Sequence, residues 1–329
     1  MTATHGFELI REQKLSEINS AAKYYRHAAT GAELISLLTT DENKVFGISF
    51  ATPPADSTGV AHILEHSVLC GSRKYPIKEP FVELLKSSLN TFLNAMTFPD
   101  KTCYPVASQN LQDFYNLVDV YLDAVFHPRL TPQIFQQEGW HYELDTPDAP
   151  LAYKGVVFNE MKGNYSSPDS MLREWSQQSL YPDTTYGLDS GGDPKHIPDL
   201  TYAQLKAFHA RHYHPSNAKA FFYGDDDPDE RLRVLDNYFR EFQPIDVGAR
   251  VDLQPRFGAP KRLTRTYAAG APEEPAEAGA AAQKESMISV NWMIDEVTDT
   301  ETALGFDILE HILIGNAAAP LYKALIDSG

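Results

Sequence analysis

Two histidines stand one helical turn apart in this sequence, with a glutamate directly before the second. His62, Glu65 and His66 form the string HILEH. Positions i and i+4 of a helix project from the same face, so both imidazoles can bind one metal ion. Paired imidazole nitrogens suit Zn²⁺, and a glutamate beside such a site is a candidate general base. The order H-x-x-E-H is the inverse of the zinc-peptidase motif H-E-x-x-H.

The helix that must position this motif is predicted over 58–70. Asp56, Ser57 and Thr58 offer cap oxygens at its start, and Gly71 stands where it would stop. Two histidines make an incomplete site, because a catalytic zinc has three protein ligands and an open position. Spacing alone does not select the third ligand, and a helix with two surface histidines is the alternative interpretation of the string.

Hydrophobic periodicity and turn residues predict the other elements of the chain. The first fifty residues are typical of an antiparallel meander, and later segments alternate helices with a few strands. The predicted strands lie at 22–27, 33–39, 45–50, 92–98, 101–107 and 219–224. The predicted helices lie at 79–89, 110–127, 131–144, 153–166, 168–180, 201–213 and 229–242.

Several long phrases of the sequence resemble the pitrilysin/insulinase family of inverted-motif zinc peptidases, and within it the presequence-protease branch. The phrases occupy 61–108, 113–130, 135–144 and 153–172, and a weaker likeness continues into ISVNWMID and PLYKALIDSG. The resemblance covers most of residues 20–240. It implies a zinc metallopeptidase, and members of this branch are longer chains whose domains close a chamber around a peptide.

The resemblance also implies roles for individual residues. His62, His66 and Glu160, the last in the phrase FNEMKG, match the zinc ligands, and Glu65 matches the general base. Considered alone, Glu160 would be a solvated helix carboxylate. Four consecutive residues match a substrate-binding edge strand, although they also fit an ordinary core strand: Asn94, Ala95, Met96 and Thr97.

The expected fold class is α+β, with a mostly antiparallel sheet and helices packed on one face. Residues 1–255 are expected to form the catalytic zinc-peptidase domain. Residues 256–284 are interpreted as a linker, because 268–284 contain no large apolar side chain. Residues 285–329 would begin a second, truncated peptidase-like domain with the strand SMISVNWMI and the helix TETALGFDILEHIL.

Other candidate ligands are interpreted as structural. Cys70 follows His66 by one turn, and Cys103 lies in a predicted strand, so both fit small packed side chains. His209, His212 and His214 cluster where a helix is predicted to end, a place that favours cationic side chains.

The composition limits the classes of partner. A net charge of −17 argues against nucleic acid and against an anionic membrane surface, and it favours basic peptides. The sequence has no apolar run long enough to span a membrane. The first residues have no secretory or organellar leader pattern, which predicts a cytoplasmic location.

The function predicted from these observations is a zinc-dependent metalloendopeptidase that binds one Zn²⁺ and cuts unstructured oligopeptides resembling targeting peptides. Glu65 would be its general base. Two alternatives stay open at this point. One is a noncatalytic family member that keeps the fold as a scaffold, and the other is a half-chamber protein that needs its missing C-terminal half or a partner chain for activity.

Overall fold

The computed structural model describes residues 3–267, 286–294 and 296–328. Chain contacts divide the protein into two units. The first contains Met1–Pro255 and Pro260–Met287, and the second contains Arg256–Ala259 and Ile288–Gly329. Most of the predicted linker, 268–284, lies outside the described residues, so the domain boundaries stay a prediction.

The first unit is built on a sheet that has eight strands within the described residues. These strands are β1 (Phe7–Leu15), β2 (Ser20–His27), β3 (Glu33–Leu38), β4 (Lys44–Ala51), β5 (Asn90–Leu93), β6 (Met96–Thr97), β7 (Lys101–Ser108) and β10 (Ala218–Gly224). Their order is β1-β2-β3-β10-β4-β7-β5, and β6 pairs with β7 beside β5. Neighbours run antiparallel except β3 and β10, which are parallel. A separate hairpin joins β8 (His141–Glu143) to β9 (Ala152–Lys154).

Eight α-helices accompany the sheet in the described part of this unit. They are α1 (Val60–Val68), α2 (Pro80–Ser87), α3 (Leu111–Phe126), α4 (Pro132–Glu138), α5 (Val156–Asn164), α6 (Pro168–Leu180), α7 (Tyr202–His212) and α8 (Pro228–Phe239). Side chains of a strand alternate between faces, and in β4 the buried set is Phe46, Ile48 and Phe50. Helix α3 buries its apolar stripe in the same core. The predicted α+β class, with a mainly antiparallel sheet and helices on one face, is confirmed.

The sheet departs from the predicted meander at one point. Strands β1, β2 and β3 do form an antiparallel meander. Strand β10, however, lies between β3 and β4, although more than 160 residues separate it from both in sequence. Local sequence patterns predict which segments are strands. They do not predict that a strand distant in sequence lies between two others.

Two predicted helices are shorter than expected. The helix predicted over 131–144 ends at Glu138, because His141–Glu143 pairs with Ala152–Lys154 as a hairpin. That pairing also takes the first residues of the helix predicted over 153–166, which begins only at Val156. Strand pairing therefore overrides helical periodicity here.

The second unit contains two helices among its described residues, α9 (Thr300–Ile314) and α10 (Pro320–Asp327). The strand predicted at 286–294 is wrong, since this segment forms neither strand nor helix. A strand needs a partner for its N–H and C=O groups, and the described part of the unit contains no other strand. Trp292 is 73% exposed. In neither unit is a described helix long and apolar enough to cross a membrane.

Candidate metal centre

Helix α1 presents both histidines of the motif together with Glu65. The helix begins at Val60, the φ of +69° at the preceding residue, Gly59, suits glycine, and no side chain caps the first turn. The predicted cap residue Asp56 binds instead the amide and hydroxyl of Thr58. The helix packs into the core through the buried apolar side chains Val60, Ala61, Ile63, Leu64 and Val68. This packing fixes the face that carries the imidazoles.

The structure brings Glu160 to the two histidines. The Oε2 atom of Glu160, on α5, lies 3.7 Å from Nε2 of His62 and 3.8 Å from Nε2 of His66. One potential ligand atom from each residue lies within 4.8 Å of the others. The exposed side-chain fractions are 12% for His62, 26% for His66 and 55% for Glu160. The three residues line an open cleft.

The outer nitrogens of both imidazoles have hydrogen-bond acceptors. Nδ1 of His62 lies 3.0 Å from the carbonyl oxygen of Gly191, and Nδ1 of His66 lies 3.3 Å from Oε2 of Glu138. A ring that donates from Nδ1 keeps its Nε2 lone pair free for a metal, which is the usual arrangement of zinc-binding histidines. Both Nε2 atoms face Glu160.

This arrangement fits a zinc ion. The two distances from Nε2 to Glu160 are too long for hydrogen bonds. They are close to the separation of about 3.3 Å between two ligands of one tetrahedral zinc. Two nitrogens and one carboxylate oxygen also form the donor set of many catalytic zinc sites.

Negative charge surrounds the ligand set. Burial acts to lower the pKa of His66, but the hydrogen bond with Glu138 and the charges of Glu65, Glu138 and Glu160 outweigh it and raise that pKa. Burial likewise acts to raise the pKa of Glu138, but its hydrogen bonds, led by the one with His66, lower it. An ionised Glu138 beside His66 makes the site attractive to a cation.

Glu65 lies beside the ligands but contacts a different residue. The Thr97 hydroxyl donates a hydrogen bond of 2.7 Å to its Oε2. Within the described residues, its other oxygen, Oε1, has no hydrogen-bond partner. Glu65 is 8% exposed, so the carboxylate is held in place next to the cleft.

The four residues matched to a substrate strand lie at the edge of the sheet. Met96 and Thr97 form β6, which pairs with β7 on one side. The amide of Phe98 donates to the carbonyl of Lys101. Since bonded and non-bonded pairs alternate in an antiparallel ladder, the N–H and C=O of Thr97 point away from β7.

The backbone of Asn94, another residue of the set, is oriented differently from that of Thr97. The backbone of Asn94 is engaged on the inner side, where its amide donates to Pro105 and its carbonyl accepts from Tyr121. The side chain of Asn94 accepts from the amide of Ala95. Apolar side chains line the cleft beside this edge: Leu69, Phe81, Val82, Met96 and Phe98.

The remaining candidate ligands have other partners. Cys70 donates to Glu138 rather than facing the metal group, and burial raises the pKa of its thiol. Cys103 accepts a hydrogen bond from Ser49. His209 and His212 bind backbone carbonyls, and Nδ1 of His214 accepts from the amide of Ser216.

Sequence reasoning missed Glu138 and Gly191 as partners of the histidines. Glu138 lies in the phrase FQQEGWHYEL, which carried the resemblance without indicating a role. Gly191 contributes a main-chain carbonyl, which any residue type could supply. Neither residue has a spacing that relates it to the motif.

Two family models match the chain. Residues 51–162 match "Insulinase (Peptidase family M16)", and residues 199–329 match "Peptidase M16 inactive domain". Among solved structures, the crystal structure of pitrilysin aligns with a TM-score of 0.59 at 22% identity, over 73% of this chain and 25% of that one. At that identity the likeness supports the fold alone.

Several curated proteins are similar over nearly the whole chain. Presequence protease 1, chloroplastic/mitochondrial, of Arabidopsis thaliana is 55% identical, over 98% of this chain and 30% of its own length. Protein HypA of Clostridium perfringens is 50% identical, over 98% and 33%. The mitochondrial presequence protease of Mus musculus is 42% identical, over 99% and 31%. The chain thus spans about a third of the length of the curated relatives it matches.

The names of these relatives correct the predicted location. The proteins from Arabidopsis and mouse are named for chloroplasts and mitochondria, so the prediction of a cytoplasmic location is wrong. That prediction depended only on the pattern of the first residues of the sequence. The sequence matches agree with one another: two segments of this chain match models of the insulinase (M16) peptidase family, and the chain as a whole is similar to the matching part of the presequence proteases.

Proposed function

We propose that this chain is the zinc-binding, catalytic part of a metalloendopeptidase that hydrolyses unstructured oligopeptides resembling targeting peptides. The observation that carries the proposal is the approach of His62, His66 and Glu160 to within 4.8 Å, with Glu65 on the same helix as the histidines. A scaffold has no physical need for three converging ligand atoms beside a buried carboxylate.

The proposed chemistry divides between the metal and the protein. His62, His66 and Glu160 hold Zn²⁺, which when bound lowers the pKa of water toward 7 and polarises a carbonyl. Glu65 accepts the water proton at Oε1 and later delivers it to the leaving amine. The hydrogen bond from Thr97 to Oε2 keeps this carboxylate oriented.

The proposed substrate is an extended peptide that adds to the sheet edge at β6. The outward N–H and C=O of Thr97 would pair with the peptide backbone, which is the mode called β-augmentation. An unfolded segment can supply such a strand, whereas a folded domain has already paired its own. The net charge of −17 favours basic peptides, and presequence proteases are among the relatives.

Metal analysis of the purified protein tests the site. We expect one zinc per chain in the wild type, and a loss of zinc in His66→Ala and in Glu160→Gln. His196→Ala is the matched control, since the His196 side chain is 57% exposed and its ring pairs with Asp199 rather than with a candidate ligand. Wild-type protein without bound zinc after dialysis against a micromolar zinc buffer would contradict the proposal.

A second candidate is a half-chamber protein that binds zinc and peptide but needs another chain for hydrolysis. The observation that favours it is that the chain spans about a third of its relatives' length. Fluorogenic peptide cleavage should be measured for this chain alone and mixed with the portion of the Arabidopsis relative that lies beyond the matched segment. Activity only in the mixture would favour the half-chamber function, and activity of the chain alone would exclude it.

A further inference from the structure

A short turn, Asp189–Gly192, lies against both helices that carry the candidate zinc ligands. The Gly191 carbonyl accepts from Nδ1 of His62, on α1. A side-chain carbon on Gly191 would lie 3.0 Å from the terminal carbon of Met161, which neighbours Glu160 on α5. The turn therefore lies against His62 itself and against a direct neighbour of Glu160, two candidate ligands that are far apart in sequence.

The carboxylate of Asp189 holds this turn together. Its Oδ1 accepts hydrogen bonds from the amides of Gly191 at 2.9 Å and Gly192 at 3.2 Å. Its Oδ2 accepts from the hydroxyl of Tyr165 at 2.6 Å, and Tyr165 is the residue that directly follows α5. Asp189 is only 6% exposed, so water competes little for these bonds.

The turn also docks directly on the start of α1. A side-chain carbon on Gly59 would lie 2.7 Å from the carbonyl oxygen of Gly191, so this approach requires glycine. The amide of Asp193 donates to the carbonyl of Ser57 just before the helix. Two sets of contacts therefore fix the position of the Gly191 carbonyl relative to α1. One set is made with the residues just before the helix, and the other is made with Asp189.

These contacts form one continuous path of hydrogen bonds. It runs from the end of α5 through Tyr165 and Asp189 to Gly191, and from there to the imidazole of His62. No other hydrogen bond to the His62 ring occurs within the described residues. The orientation of this ring relative to Glu160 therefore depends on the turn.

We propose that Asp189 is a positioning residue of the metal site, which fixes the His62 ring through the Gly191 carbonyl and ties it through Tyr165 to the helix carrying Glu160. The inference rests on the proposed zinc site. Residues that orient zinc-binding histidines from outside the ligand shell typically change metal affinity by about 10–100-fold. Asp189 and Tyr165 contact no ligand atom themselves, so they act through Gly191.

The test is the zinc dissociation constant of the full chain, measured by competition with a chromophoric chelator. Asp189→Ala removes every bond of the carboxylate, and we expect a dissociation constant raised about 10–100-fold. Asp189→Asn keeps an oxygen for the two glycine amides but loses the acceptor for Tyr165, and Tyr165→Phe removes the same bond from the other side. These two variants should show equal, smaller losses that do not add in the double mutant.

A matched control and a spectroscopic readout separate positioning from general destabilisation. Tyr115→Phe removes an equivalent bond of 2.7 Å, from Tyr115 to the buried Asp226, at a place without contact to the metal group. It should leave the zinc affinity unchanged even where it lowers the unfolding temperature. The visible absorption of the cobalt-substituted protein should change in Tyr165→Phe and stay as in the wild type in Tyr115→Phe.

The outcomes distinguish this inference from the proposed function. Wild-type zinc affinity and an unchanged cobalt spectrum in folded Tyr165→Phe and Asp189→Asn would overturn the role of Asp189 while leaving the zinc site intact. A wild type that binds no zinc would instead refute the site itself. Equal affinity losses in Tyr165→Phe and Tyr115→Phe would attribute the effect to stability and overturn the inference.

Discussion

Thr97 and Glu65 are joined by a hydrogen bond of 2.7 Å from the threonine hydroxyl to Oε2 of the carboxylate. This bond connects strand β6, at the edge of the sheet, to helix α1, which carries the two histidines. This hydrogen bond therefore holds the candidate general base against the candidate peptide-binding edge. A peptide that pairs with β6 would be placed directly beside Glu65.

The hydroxyl of Thr97 should contribute to hydrolysis through Glu65. Thr97→Val keeps the branched shape but removes the donor, and we expect kcat to fall about 10- to 150-fold with little change in KM, because net hydrogen bonds to charged groups are worth about 1.5–3 kcal/mol. Thr97→Ser should restore most of the loss. Single-turnover cleavage of a fluorogenic peptide measures this, in the chain alone or in its complemented form. Equal rates for the valine and serine variants would contradict the orientation of Glu65 by this hydroxyl.

Glu65→Gln should separate metal binding from hydrolysis. Glu65 is not among the converging ligand atoms, so the variant should keep about one zinc per chain while hydrolysis falls by about 10²–10⁴-fold, the usual contribution of a general base. Zinc content and peptide cleavage are measured on the same preparation. Glu83→Gln, on α2, is the control. Unchanged turnover in zinc-loaded Glu65→Gln would refute the assigned role.

Backbone pairing at β6 can be tested with modified peptides. Methylation of one peptide amide removes a donor without changing the side chains, and alternate amides of an added strand face the edge. We expect binding to zinc-loaded Glu65→Gln to weaken by up to about 10-fold when a pairing amide is methylated, from a net hydrogen-bond contribution of about 0.5–1.5 kcal/mol. Methylation of the neighbouring amide is the control. Fluorescence anisotropy measures binding, and equal affinities for both peptides would exclude strand addition.

A histidine outside the metal group should make folding sensitive to acid. Burial lowers the pKa of His212 to about 4, although its hydrogen bond with the Ala51 carbonyl acts in the opposite direction. The unfolded chain takes up a proton below about pH 6.5, whereas the folded chain does so only near pH 4. The neutral ring therefore stabilises the fold fully above pH 6.5, and this contribution is lost as the pH falls toward 4.

The expected loss through this histidine is about 2 kcal/mol between pH 7 and pH 4.5, since one unit of pKa corresponds to about 1.4 kcal/mol. His212→Gln should lower the free energy of unfolding at pH 7 and flatten its dependence on pH over this range. Urea unfolding at several pH values measures both. His196→Gln should keep the wild-type dependence because His196 is exposed. Parallel pH profiles for His212→Gln and the wild type would contradict this assignment.

The sequence predicts the parts of this protein that depend on local spacing. The pair His62 and His66 follows from the helical repeat, and the long helix α3 follows from its apolar periodicity. Glu160 was identified only by resemblance, because no spacing relates it to the histidines. Glu138 and the Gly191 carbonyl could not be predicted, since both reach the site through the packing of α4 and of the turn after α6. Likewise, the segment 286–294 has the pattern of a strand but has no strand partner within the described residues.

The position of β10 between β3 and β4 has a consequence for synthesis on the ribosome. Until residue 224 has emerged, β3 and β4 each present an unpaired edge, and exposed edges of this kind favour association between chains. Residues 62, 66 and 160 all emerge before that point, so a nascent chain holds the candidate ligands before the sheet beneath them is closed. Closure of the sheet therefore depends on a segment that contributes no ligand to the metal site, and a chain that ends before β10 would expose both edges and tend to aggregate after its release from the ribosome.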